Sequence, residues 1–281
     1  MHLRQPAVAG RFYTDVPADL RAEVESFLKQ GAALPASALA AGDAAHLAGL
    51  MLPHAGHVYS GRVIGATLAH VRLPRTVFLL CPNHTGLGTP LSVWPAGAWQ
   101  TPLGPVPVDG EMARLLCEAD EDFSADVMGH VLPFRRVCAG DAPLHVVPVC
   151  VGTGQAPVLR TAGQRLARVL ERCRSRDGQR PLLLVSSDMN HYEDQRTTLR
   201  KDDLALDAAL KGDADALLAT VAREGISMCG AAPLALAFYA LHAWAPDAAV
   251  RATLVMHETS AAVSHDTGHV VGYAGLRIFS C

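Results

Sequence analysis

The sequence predicts one α/β domain spanning residues 1–281, with a mostly parallel or mixed central sheet flanked by helices on both faces. Strand-like and helix-like stretches alternate along the chain, the pattern that builds layered α/β folds. The strongest strand-like runs are continuously apolar, as strands covered on both faces must be. No internal repeat and no linker rich in Gly, Pro or Ser divides the 281 residues.

The elements follow in order. Leu47 to Leu52 reads as a strand, Gly61 to Val71 as the helix after it, and Thr76 to Cys81 as the next strand. From Leu91-Ser92-Val93-Trp94 through Gly104-Pro105-Val106-Pro107-Val108 the Gly and Pro punctuation suggests a hairpin. Asp109 is placed to cap a helix running through Leu116. His145 to Val151 is a further strand, Pro157 to Arg174 a helix, and Pro181 to Ser187 the most hydrophobic strand. Helices are expected at Asp202–Leu210, Ala214–Arg223 and Gly230–Trp244, then strands at Arg251–Met256 and His269–Ile278. The Ala-rich segment from Ala32 to Ala45 reads as a loop.

Composition narrows the function classes. Half of the residues are hydrophobic and 18% are charged, which supports a large core and argues against disorder. The net charge is -3 and the Lys and Arg residues are scattered, so no nucleic-acid or membrane partner is implied. The N-terminus lacks a signal-peptide pattern, and no apolar stretch reaches the ~18 residues of a membrane span. Seven cysteines without a Cys-x-x-Cys pair fit neither a disulfide scaffold nor a zinc ribbon. The expectation is a protein of a reducing cytoplasm.

Three apolar runs stop abruptly at metal-competent side chains: Leu50-Met51-Leu52-Pro53-His54, Val77-Phe78-Leu79-Leu80-Cys81-Pro82-Asn83-His84, and Leu182-Leu183-Leu184-Val185-Ser186-Ser187-Asp188-Met189-Asn190-His191. Open α/β sheets bind ligands beyond the carboxyl ends of their strands, so these polar ends are aimed at one place. His54 by itself reads first as a turn residue that caps the following helix or hydrogen-bonds in the core, with His57, Tyr59 and Ser60 as neighbours of a site. The recurrence at His84 favours ligation, with Asn83 and Thr85 placed to orient an imidazole or a bound oxygen species, and Cys81 as packing. Asp188 and His191 add a carboxylate and a third imidazole; the plain alternative is a capping Asp beside an exposed His. Cys229 precedes an apolar helix, whose dipole favours thiolate; a small buried residue in a helix-entry turn is the equal alternative. Two His with a carboxylate suit non-haem Fe(II), and an added thiolate extends the choice to zinc or copper. No Gly-x-Ser-x-Gly elbow, phosphate loop or dinucleotide fingerprint is present.

Taken together, the motifs resemble the Memo-like family, known in bacteria and archaea as protein B of the AmmeMemoRadiSam set. The resemblance rests on Arg4-Gln5-Pro6-Ala7-Val8-Ala9-Gly10-Arg11-Phe12-Tyr13, Pro53-His54-Ala55-Gly56, Pro82-Asn83-His84, Ser187-Asp188-Met189-Asn190-His191-Tyr192, Cys229-Gly230 and Val271-Gly272-Tyr273-Ala274. It implies a fold like that of LigB-type class III extradiol dioxygenases, metal ligands at His54, His84 and Cys229, and Asp188 and His191 in the same pocket. The chain departs from the family pattern at His57, where an aromatic is expected, at Ala125-Asp126-Val127 ahead of Leu132-Pro133-Phe134, and at His257-Glu258-Thr259-Ser260-Ala261-Ala262. His57, His257 and Glu258 are then either compensating ligands or drift on a pocket rim.

The expected function is an Fe(II)-dependent, dioxygenase-like oxidoreductase acting on a small organic substrate, with Cys229 or Asp188 completing the ligand set and His191 and Asp188 in catalytic roles. The alternatives are a non-catalytic protein holding copper, zinc or iron or receiving a short peptide in the same cleft, and a hydrolase using Cys229 as nucleophile.

Overall fold

The computed structural model describes residues 3–35, 43–86, 88–119, 123–124 and 144–281. The chain order is β1 (Leu3–Arg4), α1 (Pro17–Ala32), α2 (Asp43–His46), β2 (Leu47–Leu52), α3 (His57–Leu68), β3 (Thr76–Pro82), β4 (Leu91–Val93), β5 (Ala98–Thr101), β6 (Gly104–Pro107) and α4 (Gly110–Ala119). Then come β7 (Phe123–Ser124), β8 (His145–Val151), α5 (Ala156–Asp177), β9 (Leu182–Ser186), β10 (His191–Glu193), α6 (Gln195–Leu210), α7 (Ala214–Glu224), α8 (Ala231–Trp244), β11 (Val250–Thr259), α9 (Ala261–Ser264) and β12 (Val270–Ser280).

The main sheet runs β10-β12-β2-β9-β3-β8-β4-β7, with β11 also paired to β12. Its centre, β2-β9-β3-β8, is parallel. Antiparallel β12 and β4 flank that centre, so the sheet is mixed. Every residue of β3 and β9 is buried, as the continuous apolar runs require. A Cβ at Gly272 would strike Asp202 of α6, whereas one at Gly275 would strike Thr67 of α3. Residues three apart on a strand point to opposite faces, so α3 with its packing partner α1 covers one face and α6 the other. Helix α8 crosses the strands and packs tightly on α5 and α7.

Four differences from the sequence reading have physical causes. Helix α1 was not anticipated, although Leu20, Val24, Phe27 and Gly31 recur at helical spacing; most of its other positions are exposed. Helix α3 begins at His57 rather than Gly61, because Gly61 and Gly65 are the flat face on which Phe27 of α1 lies. Helix α6 begins at Gln195, where the Asp194 side chain accepts a bond from the Thr197 N–H. The hairpin expected from Leu91 is β5–β6 alone, which joins β1 in a small second sheet while β4 pairs with β8. Asp109 caps α4 as expected, accepting from the Met112 N–H. Of the Ala32–Ala45 loop, residues 36–42 lie outside the described residues, and Asp43 opens the short α2.

Candidate metal centre

Parallel strands β2, β9 and β3 are neighbours in that order and end on one edge of the sheet. Two residues past each end stand His54, Asp188 and His84. The chain returns to place β9 between β2 and β3 only after completing β8, so the crevice lies where the strand order reverses. Cys229 reaches the same point from the turn entering α8. A Cβ on Gly230 would drive into the Ser187 side chain and the Ser186 carbonyl, so only glycine lets that turn come so close.

The donor atoms converge. His54 Nε2 lies 3.1 Å from His84 Nε2 and 3.4 Å from Cys229 Sγ. Metal–nitrogen bonds of ~2.0–2.1 Å and a metal–sulfur bond of ~2.3 Å at tetrahedral angles imply separations of about 3.3 and 3.6 Å. The three residues therefore fit one metal ion, and they form the only group of three or more potential ligands this compact among the described residues.

The surroundings hold each donor in place. His54 Nδ1 meets the Ser186 hydroxyl at 2.8 Å, leaving Nε2 for the centre. Asp188 Oδ1 accepts from the His54 N–H at 2.8 Å and the Ala55 N–H at 3.3 Å, which pins the turn carrying the imidazole. Its Oδ2 is 3.9 Å from His54 Nε2. The Asp188 N–H donates to Cys229 Sγ at 3.2 Å, while the Ser187 hydroxyl accepts from the Gly230 N–H at 3.0 Å. Asn83 Oδ1 accepts from the Thr85 and Gly86 N–H groups and so shapes the loop bearing His84. His191 Nδ1 meets the Ser227 carbonyl at 2.9 Å. A carbonyl only accepts, so Nδ1 carries the proton and Nε2 is left to the cleft.

Burial holds both His54 and His84 below the usual imidazole value; Asp188 partly offsets this for His54, while His54 itself adds to it for His84. Burial, then the Asp188 charge, pushes the Cys229 thiol up to about 12. The thiolate expected from the helix dipole is thus corrected: without a metal, burial wins and the group is a thiol.

The centre opens into a cleft of about 560 Å³. Its lining includes His54, His84, Asp188 and His191, so the structure brings the anticipated site residues together, with Cys229 beside them. Sequence reasoning missed Arg11, Phe12, Tyr192 and Tyr273 in the cleft wall, although all lie in motifs quoted for the resemblance. Tyr192 has φ 63° and is 76% exposed, a strained backbone that turns its ring out at the mouth. Tyr59 lines the cleft; Ser60 instead bonds its own helix entry through Ala55 O, and Cys81 is buried on β3 opposite Cys150.

Of the departures from the family pattern, His57, His257 and Glu258 lie outside the His54/His84/Cys229 group. His57 is buried, stacked on Tyr13 and bonded through Nδ1 to Glu23 at 3.1 Å. His57 thus ties α3 to α1 and the N-terminal segment. His257 meets the fully buried Asp202 at 2.8 Å, and Glu258 pairs with Arg62 at 2.9 Å, both at a separate depression. Ala125-Asp126-Val127 and Leu132-Pro133-Phe134 lie outside the described residues.

The arrangement defines a mixed α/β protein with a His/His/Cys group able to hold a metal at the strand ends. A model of the Memo-like protein family matches residues 4–277. A MEMO1 family protein of Desulfurococcus amylolyticus is 35% identical, covering 99% of this chain and 100% of its own. Relatives of the same description from Thermotoga neapolitana and Aeropyrum pernix are 36% and 34% identical, over 96% and 99% of this chain and 98% and 100% of theirs. A solved structure of an uncharacterized protein from Escherichia coli K12 superposes with a TM-score of 0.49 at 12% identity, over 73% of this chain and 86% of that one. The chain belongs to the Memo-like family. Among the described residues no helix is long and apolar enough to cross a membrane.

Proposed function

We propose that the protein is a metal-dependent oxidoreductase, dioxygenase-like, which holds Fe(II) through His54, His84 and Cys229 and acts on a small organic molecule in the adjoining cleft. The observation that carries this is the 3.1 and 3.4 Å convergence of two imidazole nitrogens and a sulfur at the floor of an open cleft. Bound iron supplies Lewis acidity toward an oxygen-bearing substrate and redox chemistry toward dioxygen. Copper and zinc are the alternatives that the thiolate admits.

The chain's own groups divide the remaining work. Asp188 locks the His54 turn and sets its negative charge beside the donors. His191, with Nδ1 committed to Ser227, presents Nε2 to take a proton from a substrate hydroxyl and return it later. The test is anaerobic reconstitution with iron, followed by oxygen-uptake assays over catechols and related small molecules. Bound iron without uptake on any substrate refutes the enzymatic reading. The second reading is a non-catalytic metal- or peptide-binding protein, favoured by the exposed Tyr192, Val58 and Phe12 around the mouth. Tight metal without turnover, lost in His54→Ala and Cys229→Ser, supports it.

A further inference from the structure

Tyr273 is 2% exposed and lies on β12 opposite Glu258 of β11. Its neighbour Gly272 faces Asp202 on the α6 side of the sheet, so Tyr273 projects to the other side, toward the N-terminus of α3. It lines the metal cleft together with Val271, two residues back on the same strand face, and with Tyr59 of α3. Its hydroxyl makes no hydrogen bond with any described residue. The side chain as a whole is buried, but its hydroxyl is not one of the fully enclosed, unpartnered polar atoms among the described residues, so it opens onto the cleft.

We propose that Tyr273 is a ligand-binding residue of this cleft, its neutral hydroxyl donating a hydrogen bond to an anionic oxygen (phenolate, enolate or carboxylate) of the bound molecule. Burial first, then the Asp188 charge, pushes the phenol up, so it remains a donor. Asp188, Tyr59 and Tyr192 line the same cleft as Tyr273. His191, whose Nδ1 proton is held by the Ser227 carbonyl, lines the same cleft and accepts at Nε2 in its neutral form. Donor and acceptor together select a ligand that presents one ionised and one protonated oxygen. A bond from Tyr273 to the anionic one is strong because the acceptor is charged.

The inference rests on the reading of this cleft as a ligand site. It is tested with 4-nitrocatechol, whose absorption reports its ionisation, added anaerobically to Co(II)-loaded and to metal-free protein, wild type and Tyr273→Phe. Wild type is expected to bind the probe as its anion. Tyr273→Phe binds about tenfold or more weakly, with the anion band diminished, at unchanged melting temperature and unchanged Co(II) uptake. Equal affinity within about twofold, or no probe binding to wild type in either form, overturns the proposal. So does a marked loss of thermal stability in Tyr273→Phe, because it means that the hydroxyl serves the fold. Failure of Co(II) to bind refutes the metal reading alone, since the metal-free comparison still decides the role of Tyr273.

Discussion

Replacing Asp188 by Ala and by Asn separates its two duties. In the fold, Oδ1 accepts the His54 N–H at 2.8 Å and the Ala55 N–H at 3.3 Å, and the residue is buried. A bond to a charged acceptor contributes about 1.5–3 kcal/mol, and the long second bond roughly 0.5 kcal/mol. Water entering from the cleft recovers part of this in Asp188→Ala, leaving a net loss of about 2–3 kcal/mol. At roughly 2–4 °C per kcal/mol for a chain of this size, Tm falls by about 4–12 °C. Asp188→Asn keeps an acceptor at the Oδ1 position and should cost only about 1 kcal/mol. Both variants remove the charge 3.9 Å from His54 Nε2, so both should weaken metal binding alike. Calorimetric melts of the metal-free proteins and metal titrations supply the two readouts. An Asp188→Ala melt within ~2 °C of wild type, or an Asn variant as unstable as the Ala one, refutes the assignment of the turn-locking role.

Four further outcomes are expected. At pH 7.5 divalent-metal binding should release about one proton, from the Cys229 thiol at about 12, because His54 and His84 are already neutral; calorimetry in buffers of different ionisation enthalpy measures it, and Cys229→Ser should release none. The same shifts set the pH dependence of the metal-free fold. Cys229, raised from 9.0, contributes stability that is full below pH 9 and lost toward pH 12, while the lowered imidazoles cost stability as pH falls below 6.5. His257→Ala should destabilise by about 1.5–3 kcal/mol, because it removes the donor to Oδ2 of the buried Asp202 while Oδ1 keeps the Asn190 N–H, yet leave metal stoichiometry intact; loss of metal would make His257 part of the centre. Gly230→Ala should cost roughly 1–3 kcal/mol and weaken metal binding, because the added Cβ pushes Cys229 away from Ser187 and Ser186; an unchanged Tm and affinity would refute the close-approach argument.

The amino-acid order by itself determined the parallel core and the polar side chains at its strand ends. Strands β2, β3, β8 and β9 were legible within a residue or two because burial on both faces demands unbroken apolar runs. The strand-end residues His54, His84 and Asp188 follow directly from where those runs stop. Tertiary structure alone decided that β9 lies between β2 and β3, which makes three distant motifs adjacent, and that α1 exists to support α3. It also decided the fate of three side chains whose types suggested ligation or reactivity. His57 turned to Glu23, His257 turned to Asp202, and the Cys229 thiol kept its proton. The physical reason is common to all three. Periodicity records which residues leave water, but the partner a buried polar atom finds, and the charge it can bear, depend on neighbours from other segments.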